Sequence, residues 1–201
     1  MKKLLALSLV LAFSQMAMAQ QTADYGWEDT ATLLGMYPAD CLIDDIATSP
    51  TDPVYSGDQS LYLESNYSST AQGYVAWIVG LADGDEVTVS FWCYDITDEG
   101  YPSGRIWAHW NDDPNDPQGY SGSASGNSTY SSGIGWEQLE HTWTVESGHT
   151  GIVIEARHYG EVGTILYFDD ISVTAPVAAE IRFPGYVALQ RSTWGSIKSV
   201  F

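Results

Sequence analysis

The sequence predicts an all-β domain, a sandwich of two antiparallel sheets built from about eight strands. Three observations carry this. From about residue 53 onward, short runs rich in β-branched and aromatic residues alternate with breaks made of Gly, Asp, Asn, Pro and Ser. Before residue 175 no stretch carries a helical apolar period, apart from short turns around 30–36. Hydrophobic residues make up 44% of 201 residues, enough for one packed core and too many for a disordered chain.

Taken in order, the runs are 25–28, 60–64, 74–79, 86–94, 105–110, 138–145, 151–159 and 164–174. Ala82-Asp83-Gly84-Asp85 and Glu146-Ser147-Gly148-His149 have turn chemistry between them. The Ser- and Gly-dense segment 120–132 reads as a long loop. Ahead of the domain, Lys2 and Lys3, the apolar run 4–13 and Ala17-Met18-Ala19 form the three parts of a secretory leader. The expected division is a signal peptide at 1–19, the sandwich at 20–175 and a tail at 176–201 for sorting or docking. In that tail Ser192 and Thr193 would cap a short turn bearing Trp194, Ile197 and Phe201. The leader implies bacterial export, to the periplasm, the cell surface or the medium. No run is long enough for a membrane span.

The net charge is −19, and after the leader only Arg105, Arg157, Arg182, Arg191 and Lys198 are basic. That balance excludes nucleic acid and anionic membrane surfaces as partners, because both need clustered Lys and Arg. Eight Trp and thirteen Tyr point to a surface that binds something through flat faces with polar edges. Cys41 and Cys93 are the only cysteines. In an oxidising exterior they suit a disulfide, while Cys93, inside Phe91-Trp92-Cys93-Tyr94, equally suits a buried thiol.

Three motifs occur in a telling order: Gly26-Trp27-Glu28-Asp29 early, Tyr55-Ser56-Gly57-Asp58-Gln59-Ser60-Leu61-Tyr62-Leu63 next, and Tyr167-Phe168-Asp169-Asp170-Ile171-Ser172-Val173 at the close. Together they resemble the calcium-containing, galactose-binding-like jelly-roll carbohydrate-binding modules of bacterial secreted proteins, the xylan- and β-glucan-binding types among them. The resemblance covers roughly residues 25–174. It departs at Asp24-Tyr25, where the family usually has Asn-Pro or Asn-Gly, and after Asp29, where a Gly and a Trp are missing. It implies a jelly-roll β-sandwich with a structural Ca²⁺ between the first and last strands. Glu28 and Asp170 would supply carboxylates, and backbone oxygens near Gly26 and Asp58 would complete an all-oxygen set of the kind Ca²⁺ takes. The other reading of these acids is as solvent-facing charges at strand ends. Asp112-Asp113-Pro114-Asn115-Asp116 lacks the EF-hand spacing and reads as an acidic turn.

Strand alternation supplies the ligand argument. Burying Phe91 and Cys93 turns Trp92 and Tyr94 outward. Burying Ile106 and Ala108 exposes Arg105, Trp107 and His109, and burying Ile152, Ile154 and Ala156 exposes Glu155, Arg157 and Tyr159. Trp and Tyr rings stack on the C–H faces of sugars, while Arg, Glu and His bond the hydroxyls. Those eight residues are therefore the candidate ligand face, with Trp77, Trp136 and Trp143 assigned to the core. The function expected is non-catalytic binding of a neutral polysaccharide or cell-surface glycan. The alternative is a structural or adhesive module whose aromatic face packs on another protein or on its own copy. No Gly-x-Ser-x-Gly elbow is present. A glycosidase pair would have to combine Glu155 with Glu140 or Asp95.

Overall fold

The computed structural model describes residues 19–97 and 100–185. The expected leader, except for Ala19, and the tail beyond Gly185 lie outside the described residues. Among the described residues twelve strands form two six-stranded sheets. The first sheet holds β3 (Leu42–Thr48), β4 (Gln59–Ser65), β11 (Ile165–Pro176), β6 (Glu86–Asp95) and β9 (Gly135–Thr144) in that order, with β1 (Gln20–Tyr25) also paired to β11. The second runs β12 (Glu180–Arg182), β5 (Thr70–Val79), β10 (Gly151–Tyr159), β7 (Ser103–Trp110) and β8 (Gly122–Gly126), with β2 (Gly35–Tyr37) also on β5. Every pairing is antiparallel. Among the described residues no helix is long and apolar enough to cross a membrane.

Alternation builds the core between the sheets. Leu61 and Leu63, Val87 to Cys93 at every second residue, Ile106 and Ala108, and Ile152 to Ala156 at every second residue are all fully buried. Phe91 meets Phe168 edge to face at 5.5 Å. Along β11 the inward phase changes from Leu166 and Phe168 to Ile171 and Val173, across an irregularity between Asp169 and Ser172 where Asp170 takes φ 46°. This bulge is what breaks the period at Asp169-Asp170, and it lets both acids leave the core-facing row.

Four strands fall where none was expected. β8 lies inside the segment read as a loop, because Gly-Ser-Ala-Ser-Gly carries no strand propensity and pairs only through β7. β2 is three residues long, β3 is an edge strand with two aspartates, and β12 lies beyond residue 175. The first strand ends at Tyr25 rather than starting there, since Trp27 turns the chain at φ 59° and buries its ring completely.

The expected disulfide does not form: Cys41 and Cys93 are separate buried thiols. Cys41 precedes β3 and Cys93 sits on β6, with β4 and β11 between them. Three strand spacings amount to about 14 Å, twice the reach of a disulfide. Burial pushes the Cys93 thiol up.

Candidate functional site

On the outer face of the second sheet, antiparallel register lines up two rows of side chains. One runs Tyr37, Gln72, Arg157, Arg105 across β2, β5, β10 and β7; the next runs Gly35, Tyr74, Glu155, Trp107. The central members of these rows, on β5 and β10, lie under a cleft of about 450 Å³, within the range of small-ligand sites. Its floor is Gln72, Tyr74, His109, Glu155 and Arg157, and Tyr37, Gln118, Tyr120 and Ser123 surround it.

Glu155 is 1% exposed and holds two partners. One carboxylate oxygen meets Nδ1 of His109 at 2.7 Å, and the other accepts from Nε of Arg157 at 2.6 Å. His109 sits between the rings of Tyr74 and Tyr120, at 5.0 and 5.5 Å, and its buried Nε2 has no hydrogen-bond partner. Burial and the neighbouring Glu155 charge both push the Tyr74 hydroxyl up, so it remains a neutral donor. Tyr37 and Tyr120, by contrast, are 60% and 70% exposed, two rings at the rim. The cleft thus offers polar groups fixed by one buried carboxylate and exposed aromatic faces at its rim.

The expected ligand face is split. Arg105, Trp107, His109, Glu155, Arg157 and Tyr159 lie on the outer face of the second sheet, but Trp92 and Tyr94 stand on the first. Alternation says which way a residue points from its own strand, and both point outward there. Trp107 does not line the cleft. The guanidinium carbons of Arg105 and Arg157 lie 4.4 and 4.5 Å from its ring centroid, so it supports the arginines. Arg105 is turned away, donating to Asn127 O and to the Tyr130 hydroxyl. Tyr37, Tyr74, Tyr120, Gln72, Gln118 and Ser123 were not anticipated as lining residues. The only sequence signal for any of them was the general excess of tyrosine.

Trp92 and Tyr94 join a separate aromatic band on the first sheet. Tyr62, Tyr167, Tyr94 and Trp136 are register partners across β4, β11, β6 and β9, with successive ring contacts at 5.6, 6.2 and 5.2 Å. Tyr55 stacks on Trp92 at 4.1 Å. Trp136 is therefore on the outside, not in the core as expected, whereas Trp143 is in the core. Trp77 is buried but on the outer face of the second sheet, under the Arg182 guanidinium at 4.5 Å. Glu155 lies on the second sheet, and Glu140 and Asp95 on the first.

The residues expected around calcium converge at the β11 bulge within the first sheet, where β1 ends and β4 begins along the same edge of β11. Glu28 Oε1 accepts the backbone N–H groups of Asp58 and Gln59 at 2.9 and 3.1 Å, and Gly57, at φ 68°, leaves the space its carboxylate fills. Ser56 donates its hydroxyl to Asp170 Oδ1 at 2.8 Å, and that oxygen faces Gly26. Asp169, beside them, is fully buried and accepts from the Tyr55 and Ser56 amides at 2.9 and 3.2 Å. Burial nevertheless pushes its carboxyl up to about 6. Among the described residues no three His, Cys, Asp or Glu side chains group closely enough to hold a metal by themselves.

No family model matches the sequence, and no curated protein does. Solved structures do match. The CBM22-1 xylan-binding domain from Paenibacillus barcinonensis Xyn10C superposes with a TM-score of 0.56 at 13% identity, covering 80% of this chain and 97% of that one. The C-terminal family 22 carbohydrate-binding module of Clostridium thermocellum Xyn10B gives 0.51 at 14% identity, over 78% and 93%. The fold is the jelly roll of these carbohydrate-binding modules. At such identities the likeness is one of architecture, and the chemistry of this chain rests on its own cleft.

Proposed function

We propose that this protein is an exported, non-catalytic glycan-binding module whose site is the cleft on the second sheet. The observation that carries the reading is the buried Glu155, which fixes His109 and Arg157 on the floor beneath the exposed Tyr37 and Tyr120 rings. A pyranose ring presents apolar C–H patches to the tyrosines and hydroxyls to Arg157 and Gln72. The floor pairs one acid with one arginine, which suits a neutral sugar better than a charged one. Both structural neighbours described above are carbohydrate-binding modules, and the first is named for xylan binding.

Binding to a panel of immobilised glycans, followed by titration of soluble hits, tests this. Tyr120→Ala and Tyr37→Ala are each expected to weaken binding about tenfold, the loss of one aromatic stacking contact, with the unfolding midpoint unchanged. Unchanged affinity in both variants overturns the assignment. The aromatic band of the first sheet supports the alternative of an adhesive or self-associating module. Self-association that disappears in Trp92→Ala, without glycan binding by the parent, would favour that reading.

A structural Ca²⁺ is the second part of the proposal. The donors are all oxygen, two of them the carboxylates of Glu28 and Asp170, and the strands of the first sheet contain no Lys or Arg to neutralise them. Backbone oxygens near Gly26 and Asp58 would complete the set, and the ion would clip the first and last strands together. Chelation is expected to lower the melting temperature, and Glu28→Ala to abolish that dependence. An unchanged melting curve in chelator argues against the ion.

A further inference from the structure

The cleft is closed at one end and open at the other. Beyond Glu155, the outward-facing Val153, Trp77 and Val79 should be free on an open sheet, yet they are between 0% and 6% exposed. The 111–121 loop and β12 cover them: Arg182 lies on Trp77 and donates to Pro114 O at 2.7 Å. At the edge of this cover the Gln118 side chain reaches from the loop to β2 and occupies the space above Gly35, where a Cβ would collide with its amide. That glycine leaves room for a plug spanning the sheet from the β7 side to the β2 side. In the opposite direction the floor continues. Along β5 and β10 the next outward residues after Gln72 and Arg157 are Thr70 and Tyr159, and both line a second cavity of about 390 Å³ with Ser68, Ser69, Tyr101 and Glu161. From Tyr74 and Glu155 to Thr70 and Tyr159 is four residues, about 14 Å of strand.

We infer that the site takes the end of a glycan chain rather than its interior. This rests on the glycan-binding reading of the cleft. The terminal sugar sits against the Gln118 plug, over the floor of Gln72, Arg157 and Glu155. The rest of the chain leaves along β5 and β10, past Tyr159 towards Tyr101. A chain threading through has no exit, because Gln118 and the covered Trp77 end stand in its path.

The test compares chain ends with chain mass. Linear β-linked polymers of glucose, xylose, mannose and galactose are each prepared at several lengths, and binding capacity is measured by calorimetry. Hexamers of the same sugars are measured with the reducing end intact and reduced to the alditol. End recognition gives a capacity per gram that rises in proportion to the number of ends, reaching about tenfold when the polymer is cut tenfold shorter. A loss on reduction assigns the bound end as the reducing one, and no loss assigns the other end. Gln118→Ala, which opens the plug, is expected to raise capacity on the longest polymer several-fold. Capacity that follows polymer mass in the parent overturns end recognition and leaves glycan binding standing. Binding to none of the panel overturns both.

Discussion

Replacing Glu155 by alanine is expected to cost the fold about 3–5 kcal/mol and to abolish binding in the cleft. Glu155 is 1% exposed and is the partner of both His109 and Arg157. Without it, Arg157 keeps its place over Trp107 with a partly covered, unpaired charge, and the imidazole of His109 loses its one hydrogen bond on a ring that is almost fully buried. The cost is that of the two groups left behind, more than the worth of the contacts themselves. Glu155→Gln separates charge from shape. An amide of equal size still accepts from one partner, so the loss should fall to about 1–2 kcal/mol. Denaturant unfolding at neutral pH checks both values, with binding measured on the folded fraction. An alanine variant within about 1 kcal/mol of the parent would mean that water or a rearranged Arg157 replaces the carboxylate, and that the floor is not fixed by it.

Much of this arrangement was legible in the sequence because period-two alternation is a local property. Ile106 and Ala108, or Ile152 and Ile154, going inward sends Arg105, Trp107, Glu155 and Arg157 outward, and β7 and β10 happen to be neighbours in one sheet. The same reasoning oriented Trp92 and Tyr94 correctly on β6, but alternation carries no information about which sheet a strand joins. Their placement on the opposite surface depended on the pairing of β6 with β9 and β11. The rim of the cleft was invisible for another reason. Tyr37 lies on a three-residue strand, and Gln118 and Tyr120 lie in the connection before β8. Their positions follow from where those segments cross the sheet, which no local pattern encodes. Trp77 illustrates the converse: alternation with Ile78 points it outward, and only β12 and the 111–121 loop, arriving from elsewhere in the chain, bury it.

Lowering the pH from neutral to 4 is expected to remove about 3 kcal/mol of stability through His158 alone. This residue alternates into the interior of β10, opposite Ala71 and Gly104, whose small size leaves room for the ring. It is fully buried; Nε2 lies 3.1 Å from the Thr164 hydroxyl, and Nδ1 has no partner. Burial disfavours the imidazolium and lowers the pKa from 6.5 to about 4. Between those two values the unfolded chain binds a proton that the folded chain refuses, so stability rises with pH across the window and falls as acid is added. At about 1.4 kcal/mol for each pH unit, the full span gives the stated figure, and below pH 4 the contribution is flat. His158→Gln places a neutral polar group of similar reach in the same position and should lose this dependence. The difference between parent and variant midpoints, followed from pH 7 to 4, isolates the imidazole, because Asp169 and the other acids are common to both proteins. Parallel curves for the two proteins would show that the folded chain admits the proton, by opening the Gly160–Thr164 turn that covers the ring.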